Sequence, residues 1–243
     1  PAFQSLNAPF SSQYESSYQD PDLILSLNST GVGKSTDWGE TWTNIEVPDG
    51  NWSSINSRDI SISDANPRFI WVGGYMGNFS KIHVSSDWGD SYNPVNNFTN
   101  ENGFVMGTIS GIYTHPIEDS TAYVLFSYYG YPKIVKTEDL GNTWEDISGF
   151  ASLDDGLSVS STGFPNVGVY SLLVMPHNTD IIWVGTDIGL IESTDGGKNW
   201  YLVESNMPYT AIYDLKVKDE GQVVITTHGA GLWTATLQDL TSF

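Results

Sequence analysis

The apolar residues of this chain occur in short runs separated by turn-forming residues. Runs rich in β-branched and aromatic residues, about six residues long and bounded by Gly, Pro, Asn and Asp, predict β-strands. The five clearest runs are LILSL (23–27), FIWVGG (69–74), AYVLFSYY (122–129), IIWVGT (181–186) and VVITTH (223–228). No segment shows a sustained apolar period of 3.6 residues, so no substantial helix is predicted.

An acidic pattern, Ser/Thr-x-Asp-x-Gly-x-x-Trp/Tyr, recurs between these runs and is called the box below. Its four copies are STDWGETW (35–42), SSDWGDSY (85–92), TEDLGNTW (137–144) and STDGGKNW (193–200). Their aspartates are separated by 50, 52 and 56 residues: Asp37, Asp87, Asp139 and Asp195. A regular period of this length is typical of repeat proteins.

The repeats predict a β-propeller, an all-β fold made of four-stranded antiparallel blades. We expect one domain over 1–243, with five blades. The expected blade bounds are 11–46, 57–96, 107–148, 167–204 and 209–238. The fifth repeat lacks a box and a fourth strand, and AFQSL near the N-terminus resembles the strands that follow the boxes. An N-terminal strand at 2–6 would close the ring and remove an unpaired edge. The alternative is that these blades are part of a larger propeller.

The box resembles the Asp-box, or bacterial neuraminidase repeat, in all four copies. The resemblance implies a hairpin turn between the third and fourth strands of each blade. In such a turn, Asp and Ser side chains accept hydrogen bonds from backbone N–H groups. The glycines that would adopt positive φ are Gly39, Gly89, Gly141 and Gly197. The aromatic residues expected to pack over the turn are Trp42, Tyr92, Trp144 and Trp200.

The resemblance specifies the fold but not the function. Sialidases, xyloglucanase-type hydrolases, sortilin-type receptors and photosystem assembly factors all carry such boxes. A catalytic or calcium-binding role for the box aspartates is disfavoured, because four similar copies around a ring cannot all face one ligand.

Charge and composition exclude several functions. The chain of 243 residues has 29 acidic and 9 basic residues, a formal net charge of −20 and no cysteine. Such a surface repels phosphates, so we expect the protein to bind neither nucleic acids nor anionic membranes. No apolar run is long enough for membrane insertion. No histidine spacing suits a zinc site, and no cofactor is predicted, with Ca²⁺ as the alternative.

The blade loops opposite the boxes are the expected binding face. Aromatic rings next to carboxylates suit sugars, because C–H faces stack on rings while hydroxyls form hydrogen bonds. The candidate ligand-binding residues are Trp52, Tyr75, Tyr129, Tyr131, Asp187 and His228. Trp52 has an alternative role, namely filling the join between blades 1 and 2.

Asp59 and Asp214 start inner strands when the repeats are aligned. Both residues could therefore face the central channel of the propeller. A pair of carboxylates facing each other across that channel would suit glycoside hydrolysis or calcium binding. The alternative is two solvated acids.

These features favour a secreted or cell-surface recognition module that binds a glycan or an extracellular protein. One alternative is a glycoside hydrolase acting on a polysaccharide, although not a sialidase. That family grips its substrate with three arginines, and this chain has only Arg58 and Arg68. Another alternative is a structural domain of a large surface protein with neighbouring domains. The start at Pro1, without Met or a signal peptide, fits a processed product or an excised piece.

Overall fold

Short antiparallel strands make up almost all of the regular structure in the computed structural model. The structure describes residues 13–55, 58–99, 103, 105–150, 158–219 and 221–237. One short 3₁₀ helix, Trp52–Ser54, is the only helical element within these ranges.

The strands form five sheets, each built from strands that are consecutive in the chain. The first sheet contains β1 (Tyr14–Ser16), β2 (Ile24–Leu27), β3 (Gly31–Ser35) and β4 (Thr43–Glu46). The second contains β5 (Asp59–Ile62), β6 (Ile70–Gly73), β7 (His83–Ser85) and β8 (Asn93–Pro94). The third contains β9 (Gly111–Thr114), β10 (Ala122–Leu125), β11 (Ile134–Thr137) and β12 (Glu145–Asp146).

The fourth sheet contains β13 (Val169–Val174), β14 (Ile182–Thr186), β15 (Gly189–Ser193) and β16 (Tyr201–Leu202). The fifth contains β17 (Ile212–Asp219), β18 (Gln222–Thr227) and β19 (Leu232–Thr236). Five sequential sheets with this meander order are the blades of a β-propeller, so the predicted fold class is confirmed. The predicted closing strand at 2–6 lies outside the described residues.

The position of a strand within its sheet explains its sequence. The second strands β6, β10 and β14 are buried at every residue, which is why they appear as continuous apolar runs. The fourth strands β8 and β16 are two residues long and exposed, so they leave little apolar signal.

Contacts within the chain divide it into two compact units. The first comprises the residues up to Val124 together with Lys136–Glu145, and the second comprises Leu125–Val135 and the residues from Asp146 onward. The first unit has a core cluster that includes Leu25, Trp52 and Ile70. The second has one that includes Ile212 and Val223. Each fully buried aliphatic side chain stabilises its unit by about 1.5–3 kcal/mol.

Candidate functional site

The box turns are held by a shared set of hydrogen bonds, described here for the first copy. The Ser35 hydroxyl donates to the Asp37 carboxylate over 2.8 Å and accepts the Gly39 N–H over 2.8 Å. Asp37 in turn accepts the backbone N–H and the hydroxyl of Thr41, over 2.8 and 2.6 Å. The corresponding side-chain donors are Ser91, Thr143 and Asn199. The seventh box position, which the sequence pattern leaves open, therefore contributes to every turn.

These hydrogen bonds favour the ionised aspartates. The side chains of Thr41 and Thr143 lower the pKa values of Asp37 and Asp139. The Asn199 side chain lowers the pKa of Asp195 to about 2. Both carboxylate oxygens accept hydrogen bonds from the turn itself, which are the contacts that the predicted structural role of the box aspartates requires.

The fourth and fifth box residues both adopt positive φ. The glycines at the fifth position have φ of 83° (Gly39), 83° (Gly89), 80° (Gly141) and 94° (Gly197). The fourth-position residues are Trp38 (59°), Trp88 (64°), Leu140 (56°) and Gly196 (74°). The sequence predicts this conformation only for the fifth position. A side chain in the left-handed region costs roughly 1–2 kcal/mol per residue, so three of the four turns carry strain at the fourth position.

The box aromatics differ in what they bind. The Trp42 indole N–H donates to Gly39 O of its own turn over 2.9 Å, as expected for packing over the turn. The indoles of Trp144 and Trp200 instead donate to carbonyls of the preceding blade, at Asn96 and Ile147, each over 2.8 Å. In these two copies the aromatic residue joins blades. The fourth aromatic residue of the set, Tyr92, is 3% exposed.

Each box lies at the same end of its blade as the turn between the first and second strands. The N–H of the fourth box residue donates to that turn in every copy: Trp38 to Asp22 O (3.4 Å), Trp88 to Arg68 O (3.1 Å), Leu140 to Ser120 O (3.0 Å) and Gly196 to Asp180 O (2.9 Å). Because antiparallel strands alternate in direction, the second-to-third-strand loops lie at the opposite end. Below, these ends of each unit are called the box face and the loop face.

The loop face of the second unit carries four side chains in contact, which we call the aromatic–acid cluster: Tyr170, Asp187, Tyr213 and His228. The rings of Tyr170 and Tyr213 meet edge to face with centroids 4.9 Å apart. The His228 ring lies 5.5 Å from that of Tyr213, and Tyr213 is 46% exposed. The cluster therefore presents aromatic surface to solvent.

β-Bulges position both tyrosines. The β13–β14 register shifts between Val169 and Ser171, and the β17–β18 register shifts between Ile212 and Asp214. Tyr170 and Tyr213 are thus the extra residues, and a bulge re-aims the side chain that it carries. The same irregularity at equivalent places in two successive blades brings the rings together.

Asp187 fixes one end of the cluster. Its carboxylate accepts the Tyr170 hydroxyl over 2.6 Å and the Gly168 N–H over 2.8 Å. A Cβ at position 168 would lie 2.6 Å from the Asp187 carboxylate, so this close approach requires glycine. The hydrogen bond to Asp187 raises the pKa of Tyr170 to about 12, which keeps the phenol protonated.

The link before β17 and the β18–β19 turn border the cluster. The Thr210 hydroxyl donates to His228 O over 2.8 Å, which ties the link before β17 to the β18–β19 turn. That link also lines a groove formed by residues 188–190, 202–205 and 207–209, where Tyr209 is 83% exposed.

The loop between β10 and β11 is docked near the cluster within the same unit. The Ser127 hydroxyl donates to Val169 O over 2.7 Å, and the Gly130 N–H donates to the Asn166 side chain over 2.8 Å. Tyr129 at its tip is 68% exposed. Tyr131 is half-buried and packs edge to face with Tyr128, with centroids 6.3 Å apart. Two predicted ligand-binding tyrosines therefore lie on a loop anchored next to Tyr170.

The remaining aromatic candidates lie in the first unit. Trp52 is 2% exposed, its indole donates to Asn28 O over 3.0 Å, and the Arg58 guanidinium lies 5.0 Å from its ring centroid. This burial favours the packing role over ligand stacking, because neither ring face is open to a sugar. Tyr75 is half-buried against Phe79, with ring centroids 5.5 Å apart.

The two aspartates suggested for catalysis belong to different units. Asp59, in the first unit, accepts the N–H groups of Ile60 and Ile112 over 3.0 and 2.6 Å, which ties β5 to β9. Asp214, in the second, accepts the Leu215 N–H over 3.0 Å. The contacts of Asp59 serve the packing of inner strands, and its catalytic role remains an untested prediction.

Sequence reasoning missed three residues in and beneath this loop face. Tyr170 and Tyr213 each directly precede an aligned inner-strand position, Ser171 and Asp214. Comparing that preceding position between repeats would have shown a tyrosine in each of two successive blades. The third residue is Lys133, which is fully buried at the base of the β10–β11 loop. Its position next to a tyrosine-rich run gave no sign of burial.

In the part of the chain that the structure describes, no three His, Asp or Glu side chains are grouped closely enough to hold a metal ion. Over the same residues, no helix has the length and apolar character needed to cross a membrane.

Solved structures with a similar fold come from functionally diverse proteins. The xyloglucanase of glycoside hydrolase family 74 from Xanthomonas campestris is 14% identical with a TM-score of 0.64, over 95% of this chain and 36% of that one. The extracellular domain of a putative hybrid two-component system from B. thetaiotaomicron is 15% identical with a TM-score of 0.59, over 93% and 27%. The outer coat vertex of COPII on membranes is 13% identical with a TM-score of 0.68, over 97% and 60%.

No protein-family model matches the sequence, and no curated protein does so either. The chain spans less than two thirds of each of the three structures just described. At these identities the likeness establishes the class of fold, a β-propeller.

Proposed function

We propose that this protein is a recognition module that binds carbohydrate through the loop face of its second unit. The aromatic–acid cluster is the contact surface. The observation that carries the proposal is the pair of matched bulges, which turn Tyr170 and Tyr213 toward each other and leave Tyr213 46% exposed. β-Bulges are over-represented next to active sites, where they re-aim a side chain.

The chemistry of the cluster suits a neutral sugar. The exposed rings offer apolar faces to sugar C–H groups, and Asp187 and His228 offer hydrogen-bonding groups to hydroxyls. The formal net charge of −20 disfavours anionic glycans. The ligand class that fits is therefore an uncharged oligosaccharide.

The proposal includes a location outside the cell or at its surface. It is supported by a composition rich in Ser, Thr, Asn and Gly with few lysines. The alternatives are a protein ligand at the same face, which would leave the glycan array negative, and hydrolysis of a polysaccharide, which would release reducing ends.

The test is a glycan array followed by calorimetry with soluble oligosaccharides that score on it. We expect Tyr213→Ala to weaken binding at least tenfold, because truncating an aromatic ring at the centre of a contact surface removes most of its stacking area. Tyr201→Ala is the matched control, because Tyr201 is 63% exposed on β16, outside the cluster.

Two outcomes would overturn the proposal. One is that the wild-type protein binds no glycan on the array. The other is that the Tyr213 and Tyr201 variants bind equally well. Release of reducing ends from β-glucans by the wild-type protein would show hydrolysis and replace recognition as the function.

A further inference from the structure

Two tryptophans on the box face of the first unit are exposed. Trp38 is 67% exposed and Trp88 is 42% exposed, whereas the other seven tryptophans are buried or half-buried. Both occupy the fourth position of a box, with φ of 59° and 64°. Bulky residues seldom adopt this conformation, and strained positions of this kind concentrate at functional sites.

The fourth box shows that the turn does not need an indole there. Gly196 occupies the same position with φ of 74° and donates its N–H to Asp180 O over 2.9 Å. Trp38 and Trp88 make the same backbone bond to Asp22 and Arg68. Glycine thus meets the conformational and hydrogen-bonding needs of the turn, and the exposed indoles require another explanation.

The turns that carry these tryptophans are tied to one another. The Gln19 side chain donates to Asp64 O, which connects the first-to-second-strand turns of blades 1 and 2. Lys34 forms an ion pair with Asp90 of the second box over 2.7 Å. Both bonds join blade 1 to blade 2 at this face, so the turns that carry Trp38 and Trp88 belong to two blades that are tied together. Tyr18, which is 96% exposed, adds a third aromatic ring to this face.

This surface is strongly acidic. The turns of the box face in the first unit, 17–23, 36–42, 63–69, 86–92, 115–121 and 138–143, contain eleven Asp and Glu residues and one arginine. The nearby lysines Lys34 and Lys136 are engaged with Asp90 and Glu138. Even with these two ion pairs the acidic residues outnumber the basic ones, and aromatic rings among excess carboxylates attract cations, since the ring face and the carboxylates favour the same charge.

We infer that the box face of the first unit docks a lysine- or arginine-bearing segment of a partner protein. The cationic side chains stack on Trp38 and Trp88, and the surrounding carboxylates neutralise their charge. A neutral glycan would use the rings but would gain nothing from the carboxylates, so charge complementarity favours the basic segment. This surface is separate from the aromatic–acid cluster and does not depend on it.

The experiment uses a fluorescein-labelled peptide of alternating arginine and glycine, sixteen residues long, with binding followed by fluorescence anisotropy. The double variant Trp38→Gly/Trp88→Gly installs the residue that the fourth box already has. We expect it to bind the peptide at least tenfold more weakly. Because the substitution leaves the net charge unchanged, general electrostatic attraction cannot produce such a loss.

A second double variant, Trp38→Phe/Trp88→Phe, is expected to retain most of the affinity because it keeps an aromatic face. The melting temperature of the glycine variant should stay within about 4 °C of the wild-type value, since relief of strain offsets the added chain entropy. Equal peptide affinity of the wild-type and glycine proteins would overturn the inference. So would a larger fall in melting temperature, which would make the indoles structural. Loss of neutral oligosaccharide binding without loss of peptide binding would assign the surface to a glycan instead.

Discussion

At the scale of single residues, the first hydroxyl of each box makes three hydrogen bonds at once. In the second box, Ser85 donates to the Asp87 carboxylate over 2.7 Å and accepts the N–H groups of Gly89 and Asp87 over 2.8 and 3.3 Å. Ser85 is fully buried. Water therefore cannot replace the hydroxyl if it is removed, and two backbone donors and a carboxylate oxygen each lose a partner.

We predict that Ser85→Ala lowers the free energy of unfolding by about 2–3 kcal/mol. Urea denaturation followed by circular dichroism measures the change. Ser91→Ala is the control, because that hydroxyl also binds Asp87, over 2.6 Å, but is exposed, so that water can take its place. Its loss should stay below about 1 kcal/mol. Equal losses in the two variants would contradict this account of the box.

At the scale of structural elements, the buried side chain of Lys133 anchors the β10–β11 loop. Its ammonium group donates to Tyr128 O and lies 5.4 Å from the Phe150 ring centroid. Burial lowers the pKa of Lys133 to about 8, although Asp187 and Asp146 oppose the shift. The loop that presents Tyr129 thus rests on a buried cation.

The lowered pKa of Lys133 predicts a pH dependence. Between about pH 8 and 10 the folded protein loses this proton while the unfolded chain keeps it, so folding stability rises with pH in that window. We expect a gain of about 1 kcal/mol from pH 8 to 9.5 in the wild-type protein, measured by urea denaturation. Lys133→Met should remove this gain. An equal gain in the variant would assign the pH dependence to another group.

The elements also show what the sequence could predict. The buried second strands can be recognised in the sequence as continuous apolar runs, because the protein covers both faces of each strand. The bulges at Tyr170 and Tyr213 left no pattern in hydropathy, because one inserted residue changes pairing without changing composition. The fold was therefore accessible from the sequence, whereas the cluster that the bulges create was only half predicted, through Asp187 and His228.

At the scale of the whole molecule, we expect two buried histidines to limit stability in mild acid. His115 is 4% exposed, and its Nδ1 accepts the Glu118 N–H over 3.1 Å, which requires an unprotonated nitrogen. Burial lowers the pKa values of His115 and His83. Above pH 6.5 these side chains are neutral in both folded and unfolded protein. Below it, the unfolded chain takes up protons that the folded protein resists, and stability falls.

We predict a loss of about 1 kcal/mol between pH 6.5 and 5, measured by urea denaturation at constant ionic strength. His115→Ser should show a smaller loss of stability, because it removes one of the two buried histidines. The serine can keep the hydrogen bond, since Ser17 and Ser63 accept the equivalent N–H in blades 1 and 2, at 3.0 and 3.3 Å. The box aspartates have pKa values below 3.8, so they weaken folding only at lower pH. An unchanged acid loss in the variant would leave His83 as the cause.

The indole bonds of Trp144 and Trp200 bear on how such a molecule can grow. Each tryptophan belongs to one repeat but donates to the repeat before it. A duplicated repeat added on the C-terminal side would thus carry its own tryptophan donor. The preceding repeat would need to supply only a main-chain carbonyl, which any amino acid provides. Lengthening by gene duplication would then require no compensating substitution at this joint.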